Sequence, residues 1–493
     1  MNIGLGFALM PVLFRHLSKE ELGVWLLLGQ SGAVLGVFDL GFGTVLTRRI
    51  AFALGKSEGA AAGEWTPDAA REIAGLVGTG RRVYGWLAFS AFVISFGSGW
   101  YYLGGLPLRE SSYEMIWAAW GVLCLGQSLG IRAATWTCLL QGLGYVGWDL
   151  VLCTLVNTMV LSAQILLVLL GGGVLGLAMA AAAGTVVQRW LIFRLARNRR
   201  AQLVDLPAQY RPELLRGMLS PALRAWLTSL GCLLVANTDP FFIAARQGAA
   251  AIPAYRAAFL LLLNLHLLAG VFCAPSQVFV SGLWQAGALP QIHAILKGNA
   301  RFGLLAMGCG GGAILALGPA LFDFWIGPGN FVGYPILGIF LAMFALEHHA
   351  NVFSSCARAT EDEAYALSSL AAGVLKLGLA YILSRWLGLA GLALSTLLAQ
   401  ALTNDWYMVS RSLKRLRVDF ADHVRKVVRP CLLVFVVSLL LGRMAVILLA
   451  NQPLVLRVMA VLMLGGGLLG ASMWRLGFGI RKRPHLLQWG KWA

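Results

Sequence analysis

"GVFDLGFGTVLTRRIA", residues 36–51, decides the fold class. The stretch is apolar and glycine-bearing, holds one carboxylate, Asp39, and closes on two arginines, Arg48 and Arg49. A bilayer core of about 30 Å needs about 20 mostly apolar residues per helix, and arginines at the end of such a run halt it at the headgroup level. Similar windows recur along nearly all 493 residues, of which 59% are hydrophobic and only 12% charged. That is far from the makeup of a soluble domain. Runs without strict alternation, broken by glycine and not by paired turn residues, read as helices and exclude barrel strands. The sequence predicts an all-α polytopic membrane protein.

Fourteen spans are expected, at 1–14, 22–46, 83–104, 115–140, 148–170, 174–196, 222–244, 257–281, 302–326, 333–356, 364–383, 387–409, 430–450 and 454–477. The 59 glycines suit close helix packing in lipid. Counting Lys and Arg by connection parity tests the span count, because basic loops resist translocation. Twenty-nine fall on one side and eight on the other, with Arg132 and Lys376 inside spans. A missed or invented span would have scrambled that split, so both termini are expected in the cytoplasm. The net charge of +18 has the same origin, together with attraction to anionic headgroups. No basic run is interleaved with aromatics in the manner of a nucleic-acid surface, so no nucleic-acid partner is expected. The fourteen residues before Arg15 reach only about 21 Å at 1.5 Å per residue, short of the hydrocarbon thickness, and the expectation is a clipped first helix.

The eight cysteines lie almost entirely within spans, with no C-x-x-C pair and no histidine at ligand spacing. They read as small apolar residues. "EHH" at Glu347–His349 is the one cluster that suggests a metal, but adjacent helical residues point about 100° apart, and a polar cavity lining is the better reading. No metal and no cofactor is expected. The connections on the less basic side, such as "GGLPLRES" and "IGPGNFVG", are too short to fold a catalytic domain. The longer basic loops hold no phosphate-binding glycine loop, nucleophile elbow or spaced carboxylate pair. The sequence therefore points away from an enzyme.

A weak internal repeat lies at two span junctions. "RHLSKEELGVW" (Arg15–Trp25) joins spans 1 and 2, and "RQGAAAIPAYR" (Arg246–Arg256) joins spans 7 and 8. Both junctions point the same way across the membrane, which makes the repeat parallel. The implied plan is an N-terminal six-helix bundle at 1–196, a basic cytoplasmic linker at 197–221, and a second six-helix bundle at 222–410 related to the first by a pseudo-twofold. A second basic linker at 411–429, two C-terminal helices within 430–477 and a cytoplasmic tail at 478–493 follow.

"LFRHLSKEELGVWLLL", "FDLGFGTVLTRRIA", "TDPFFIAARQGAAAIPAYRAAFLLL" and "FDFWIGPGN" resemble the corresponding segments of bacterial polysaccharide exporters of the Wzx type, the O-antigen flippases. That family shares a superfamily with the multidrug MATE exporters and the lipid II flippase. The resemblance runs from the first span to about the twelfth, in soft apolar-and-glycine patterns. It implies a carrier in the inner membrane with two bundles around a central cavity. Such a carrier moves a polyprenyl-pyrophosphate-linked oligosaccharide between leaflets by alternating access, beside the glycan polymerase and glycosyltransferases of its pathway. Fourteen spans, against twelve for MATE drug exporters, favour the lipid-linked branches.

Charges within spans are costly and face a bundle interior or a watery cavity. Arg132 and Lys376 are the deepest cations and the best candidates for a pyrophosphate headgroup. Arg48 and Arg49 are candidates for a funnel at the cytoplasmic mouth, since guanidinium groups pair bidentately with phosphate oxygens. Asp39, Asp239 and Glu347 are candidates for carrying a coupled H⁺ or Na⁺. The structural alternative is a helix–helix tether for Asp39, an ion pair for Arg132 and Lys376, and a stop-transfer charge at the headgroup level for Arg48 and Arg49. Two rival functions stand beside the flippase: a MATE-type cation-coupled drug antiporter, which would want an acidic cavity, and a membrane glycan polymerase or ligase, which would want a large external loop.

Overall fold

The computed structural model describes residues 3–55, 67–108, 112–204, 210–360 and 365–475. Among them the secondary structure is helical throughout, with no strand. Eleven of the described helical segments are long and apolar enough to cross a membrane, from Asp68–Gly104 to Leu454–Arg475. The protein is a multi-pass, all-α membrane protein. The expected tail at 478–493 lies outside the described residues, as do 205–209 of the first basic linker.

Several expected spans are interrupted. Span 22–46 is not one helix: Lys19–Leu35 gives way to a tight 3-10 turn at Gly36–Asp39, and a new helix runs over Phe42–Gly55. Leu40 and Gly41 between them take φ of 50° and 68°. That left-handed pair ends an α-helix whatever its hydrophobicity. The fourth expected span breaks after Arg132, where Tyr113–Arg132 meets Ala134–Gly142. Spans eleven and twelve are joined in one segment, Ala366–Leu416. Within it Gly388, at φ 56° and ψ −131°, turns the chain, and Gly391 packs so tightly on the Leu383 carbonyl that a Cβ would not fit.

The chain divides into two compact units. The first comprises Met1–Arg256 with Ser369–Tyr381, and the second comprises Ala257–Ser368 with Ile382–Ala493. Small residues set the packing of each. In the first, Gly126 closes to 2.6 Å from the Ala182 Cβ, measured from where its own Cβ would stand. The two repeat junctions also meet there, with Gly23 packed directly on the Ala249 backbone. In the second unit, "GCGGG" at 308–312 lies in the C-terminal half of helix Leu289–Leu317. Each of its glycines faces a different neighbour: Gly308 faces Phe435, Gly310 Leu265, Gly311 Leu341 and Gly312 Ser438. Three helices thus close onto one, and dispersion between them replaces the hydrophobic drive that lipid does not supply. The hairpin "IGPGNFVG" is held by Asn330, whose Nδ2 donates to the carbonyls of Ile326 and Gly327 at 3.1 Å each.

Candidate functional site

The first unit holds the most enclosed ion pair among the described residues. Helix Pro212–Asn237 stops at Thr238, and Asp239–Pro240 starts the short helix Asp239–Gln247. The break turns Asp239 inward. Lys376 reaches it from helix Ala366–Ala399, with Nζ 2.6 Å from Asp239 Oδ1 and a side chain that is 0% exposed. The ammonium also donates to the Thr238 hydroxyl and lies 5.7 Å from the centre of the Phe242 ring. Tyr255 completes the set by donating its hydroxyl to Asp239 Oδ2 at 2.7 Å. The approach depends on two glycines. Gly231 abuts the Ser369 backbone, and the Cβ that Gly373 lacks would stand 2.9 Å from the Leu234 Cβ. In this arrangement the charges of Lys376 and Asp239 compensate each other.

Asp39, at the end of the 3-10 turn, accepts from the Gly43 backbone N–H at 3.1 Å and from the Tyr84 hydroxyl at 2.6 Å. The first bond anchors the start of helix Phe42–Gly55, whose positive end favours a carboxylate. The second ties the turn to the long helix Pro67–Gly104. Asp39, half-buried, therefore tethers one helix to another. Gly43, Leu46 and Ile50 do line one face, and Leu46 and Ile50 are fully buried in the core with Phe42, Val45 and Tyr84.

The three arginine candidates are exposed, so Arg132 is not the deep cation expected from its place in an apolar run. Arg48 and Arg49 are exposed, and Arg49 donates through Nη2 to the Gly217 carbonyl at 3.2 Å. Arg132 is exposed at the last turn of Tyr113–Arg132. One turn further on, Trp136 packs edge-on to Phe193, with the Arg81 guanidinium 5.8 Å from its ring centre.

In the second unit the three residues of "EHH" turn to three different partners. Glu347 is half-buried and bonds to the Gln400 side chain, and Asp405 lies within electrostatic range of it. His348 is 1% exposed, stands with its ring 5.9 Å from that of His266 and presses on Gly303. His349 Nε2 lies 3.0 Å from His423 Nε2. Gln400 and Asp405 are the two ends of a π-helical segment, Gln400–Asp405. Such segments place side chains off the regular α-helical register and are frequent at functional sites. Gln400 is 7% exposed, and its Oε1 has no hydrogen-bond partner. Among the described residues Glu347 forms no ion pair with Lys or Arg.

No family model and no curated protein matches this chain by sequence. Solved structures do match. The lipid II flippase MurJ in an inward closed conformation superposes with a TM-score of 0.68 at 13% identity, covering 96% of this chain and 97% of its own. An inward-facing multidrug resistance MATE family transporter of the MOP superfamily gives 0.64 at 14% identity, covering 85% of this chain and 95% of its own. A MOP superfamily transporter from Pyrococcus furiosus gives 0.52 at 13%, covering 83% and 98%. The chain shares the fold of these solved structures.

In this fold the seven charges singled out from sequence separate into three chemistries. Asp39 and the Asp239–Lys376 pair are bonded in place, Arg48, Arg49 and Arg132 are exposed, and Glu347 sits with a second carboxylate and an amide. Sequence reading missed Tyr84, Thr238, Tyr255, Gln400 and Asp405. Tyr255 lies inside the quoted repeat "RQGAAAIPAYR", and Asp405 lies inside the expected span 387–409. A carboxylate within an apolar run is itself the signal that would have flagged Asp405.

Proposed function

We propose that the chain is a flippase that moves a polyprenyl-pyrophosphate-linked oligosaccharide across the bacterial inner membrane by alternating access, for cell-surface polysaccharide synthesis. The observation that carries this reading is coverage: MATE transporters of the MOP fold are used up almost entirely while part of this chain is left over, and the lipid II flippase spans nearly all of it. The extra length agrees with fourteen spans arranged as two six-helix bundles and two C-terminal helices. Both termini then lie in the cytoplasm, and the pathway's polymerase and glycosyltransferases are the expected neighbours. Arg132, with Arg48 and Arg49, receives the pyrophosphate. Glu347, with Asp405 beside it, carries the coupling cation, since Asp39 and Asp239 are already bonded. Lys376 compensates Asp239 in the arrangement described and meets the headgroup only in a state where that pair opens.

The test is reconstitution into vesicles with a fluorescent polyprenyl-pyrophosphate oligosaccharide in one leaflet and an impermeant quencher outside. Quenching that depends on the protein and falls at least tenfold in Arg132→Ala supports the flippase. A cation-coupled drug antiporter is the second reading, favoured by the Glu347–Asp405 carboxylates. Exchange of a cationic dye for H⁺ or Na⁺, with no movement of the glycan lipid, would establish it instead.

A further inference from the structure

Helices Val146–Leu169 and Gly173–Val204 of the first unit form an antiparallel hairpin. At 100° per residue, Trp148, Val151, Leu155, Met159 and Leu166 make one exposed stripe, and Met179, Val186, Val187 and Trp190 make another. Both stripes run to a tryptophan at the same end of the hairpin, and each tryptophan is covered by an arginine. The Arg199 guanidinium carbon lies 5.3 Å from the centre of the Trp148 ring, and that of Arg194 lies 4.8 Å from the Trp190 ring. The residues between 146 and 204 contain one carboxylate, Asp149. It is 4% exposed and accepts from Gln141 Nε2 at 2.8 Å. Among the described residues of the hairpin, the exposed charge at this end is therefore of one sign.

We infer that this end of the hairpin binds anionic glycerophospholipid, whose phosphates meet the indole-held guanidiniums of Arg194 and Arg199 and whose acyl chains lie along the apolar stripes beside them. Any bilayer protein meets lipid along its apolar faces, so the specificity lies in the headgroup. A guanidinium held flat on an indole keeps its N–H edge oriented at low entropic cost. That edge matches phosphate oxygens bidentately. The ammonium of a zwitterionic lipid meets only repulsion here. The stripe from Met179 to Trp190 rises about 16 Å at 1.5 Å per residue, about the reach of an acyl chain. The inference is independent of what the protein transports.

The experiment is native mass spectrometry of the delipidated full chain titrated with phosphatidylglycerol and, separately, with phosphatidylethanolamine. Each arginine near an anionic surface is worth about a fivefold factor. Arg194→Gln/Arg199→Gln is therefore expected to bind phosphatidylglycerol about fivefold more weakly at each of the two guanidinium positions, with phosphatidylethanolamine binding unchanged. Arg194→Lys/Arg199→Lys keeps the charge and loses the fork, and it is expected to weaken phosphatidylglycerol binding severalfold with helix content intact. This second pair decides the matter should the first fail to fold. Equal affinity of the wild type for the two lipids, or phosphatidylglycerol binding undiminished in the folded variants, overturns the inference and leaves these arginines a purely topological role.

Discussion

At the residue scale, the fate of a buried charge depends on what else is buried with it. Removing one member of an enclosed ion pair strands the other and costs about 3–5 kcal/mol, whereas replacing both by apolar side chains is close to neutral. Lys376→Ala and Asp239→Ala are each expected to lower the folded, monodisperse amount of protein. Lys376→Met/Asp239→Leu is expected to restore most of it, read by fluorescence-detected size exclusion and thermal unfolding in detergent. A double variant as poor as either single one would mean that the pair does more than compensate charge. Tyr84→Phe removes a hydrogen bond to the Asp39 carboxylate, with an expected loss of about 1.5–3 kcal/mol in the same unfolding assay. Arg132→Ala, at an exposed position, should stay within about 0.5 kcal/mol of wild type. The positions of these charges were legible in the sequence because a charge in an apolar run stands out. Their partners were not. Thr238, Tyr84 and Tyr255 are uncharged residues whose importance comes from being brought next to a carboxylate by other helices.

At the element scale, the apolar windows located the helices and mislaid their interruptions. Window averages respond to composition, but the break at 36–41 is made by tertiary contact. Gly41 packs directly on the Ala222 carbonyl, Trp226 Nε1 donates to the Val37 carbonyl at 3.0 Å, and Leu40 adopts a left-handed conformation that its side chain does not favour. An apolar window over 22–46 read as one helix does not show this. Gly388 is the counterpart that the sequence half revealed, because it falls just past the gap between spans 364–383 and 387–409. With φ 56° and ψ −131° it occupies a region costly to any residue with a Cβ, so Gly388→Ala is expected to destabilise by about 1–3 kcal/mol. Limited proteolysis should then cut near 384–391 faster than in wild type. A variant as resistant as wild type would mean that the turn relaxes without strain.

At the scale of the whole molecule, the distribution of basic residues makes a claim that no single contact makes. If the parity count holds, impermeant thiol reagents should label single cysteines placed in 104–112 and 326–333 from outside. They should reach cysteines in 197–221 and at both termini only after permeabilisation. Labelling of 197–221 from outside would remove the span count. Coupling belongs to this scale too. Glu347→Gln keeps the shape of the side chain and its bond to Gln400 while losing the charge. It is expected to abolish acceleration of glycan-lipid movement by an imposed H⁺ or Na⁺ gradient, leaving the folded amount near that of wild type. Unchanged gradient dependence would exclude Glu347 as the carrier of the ion.

The π segment at Gln400–Asp405 bears on how this chain tolerates changes in its length. A π turn is an α-helix carrying one residue more than its ladder needs. The wider turn absorbs that extra residue, so the helix beyond it keeps its phase. Gln400 and Asp405 stand five apart, a spacing that a regular α-helix would turn about 140° away from each other, and the wider turn carries them back toward one side. Deleting one residue between them would heal the ladder and leave the pair four apart, still on one face. A one-residue gap at this point between two chains would therefore preserve both the fold and the cluster, whereas the same gap elsewhere in the helix would rotate every residue beyond it by about 100°.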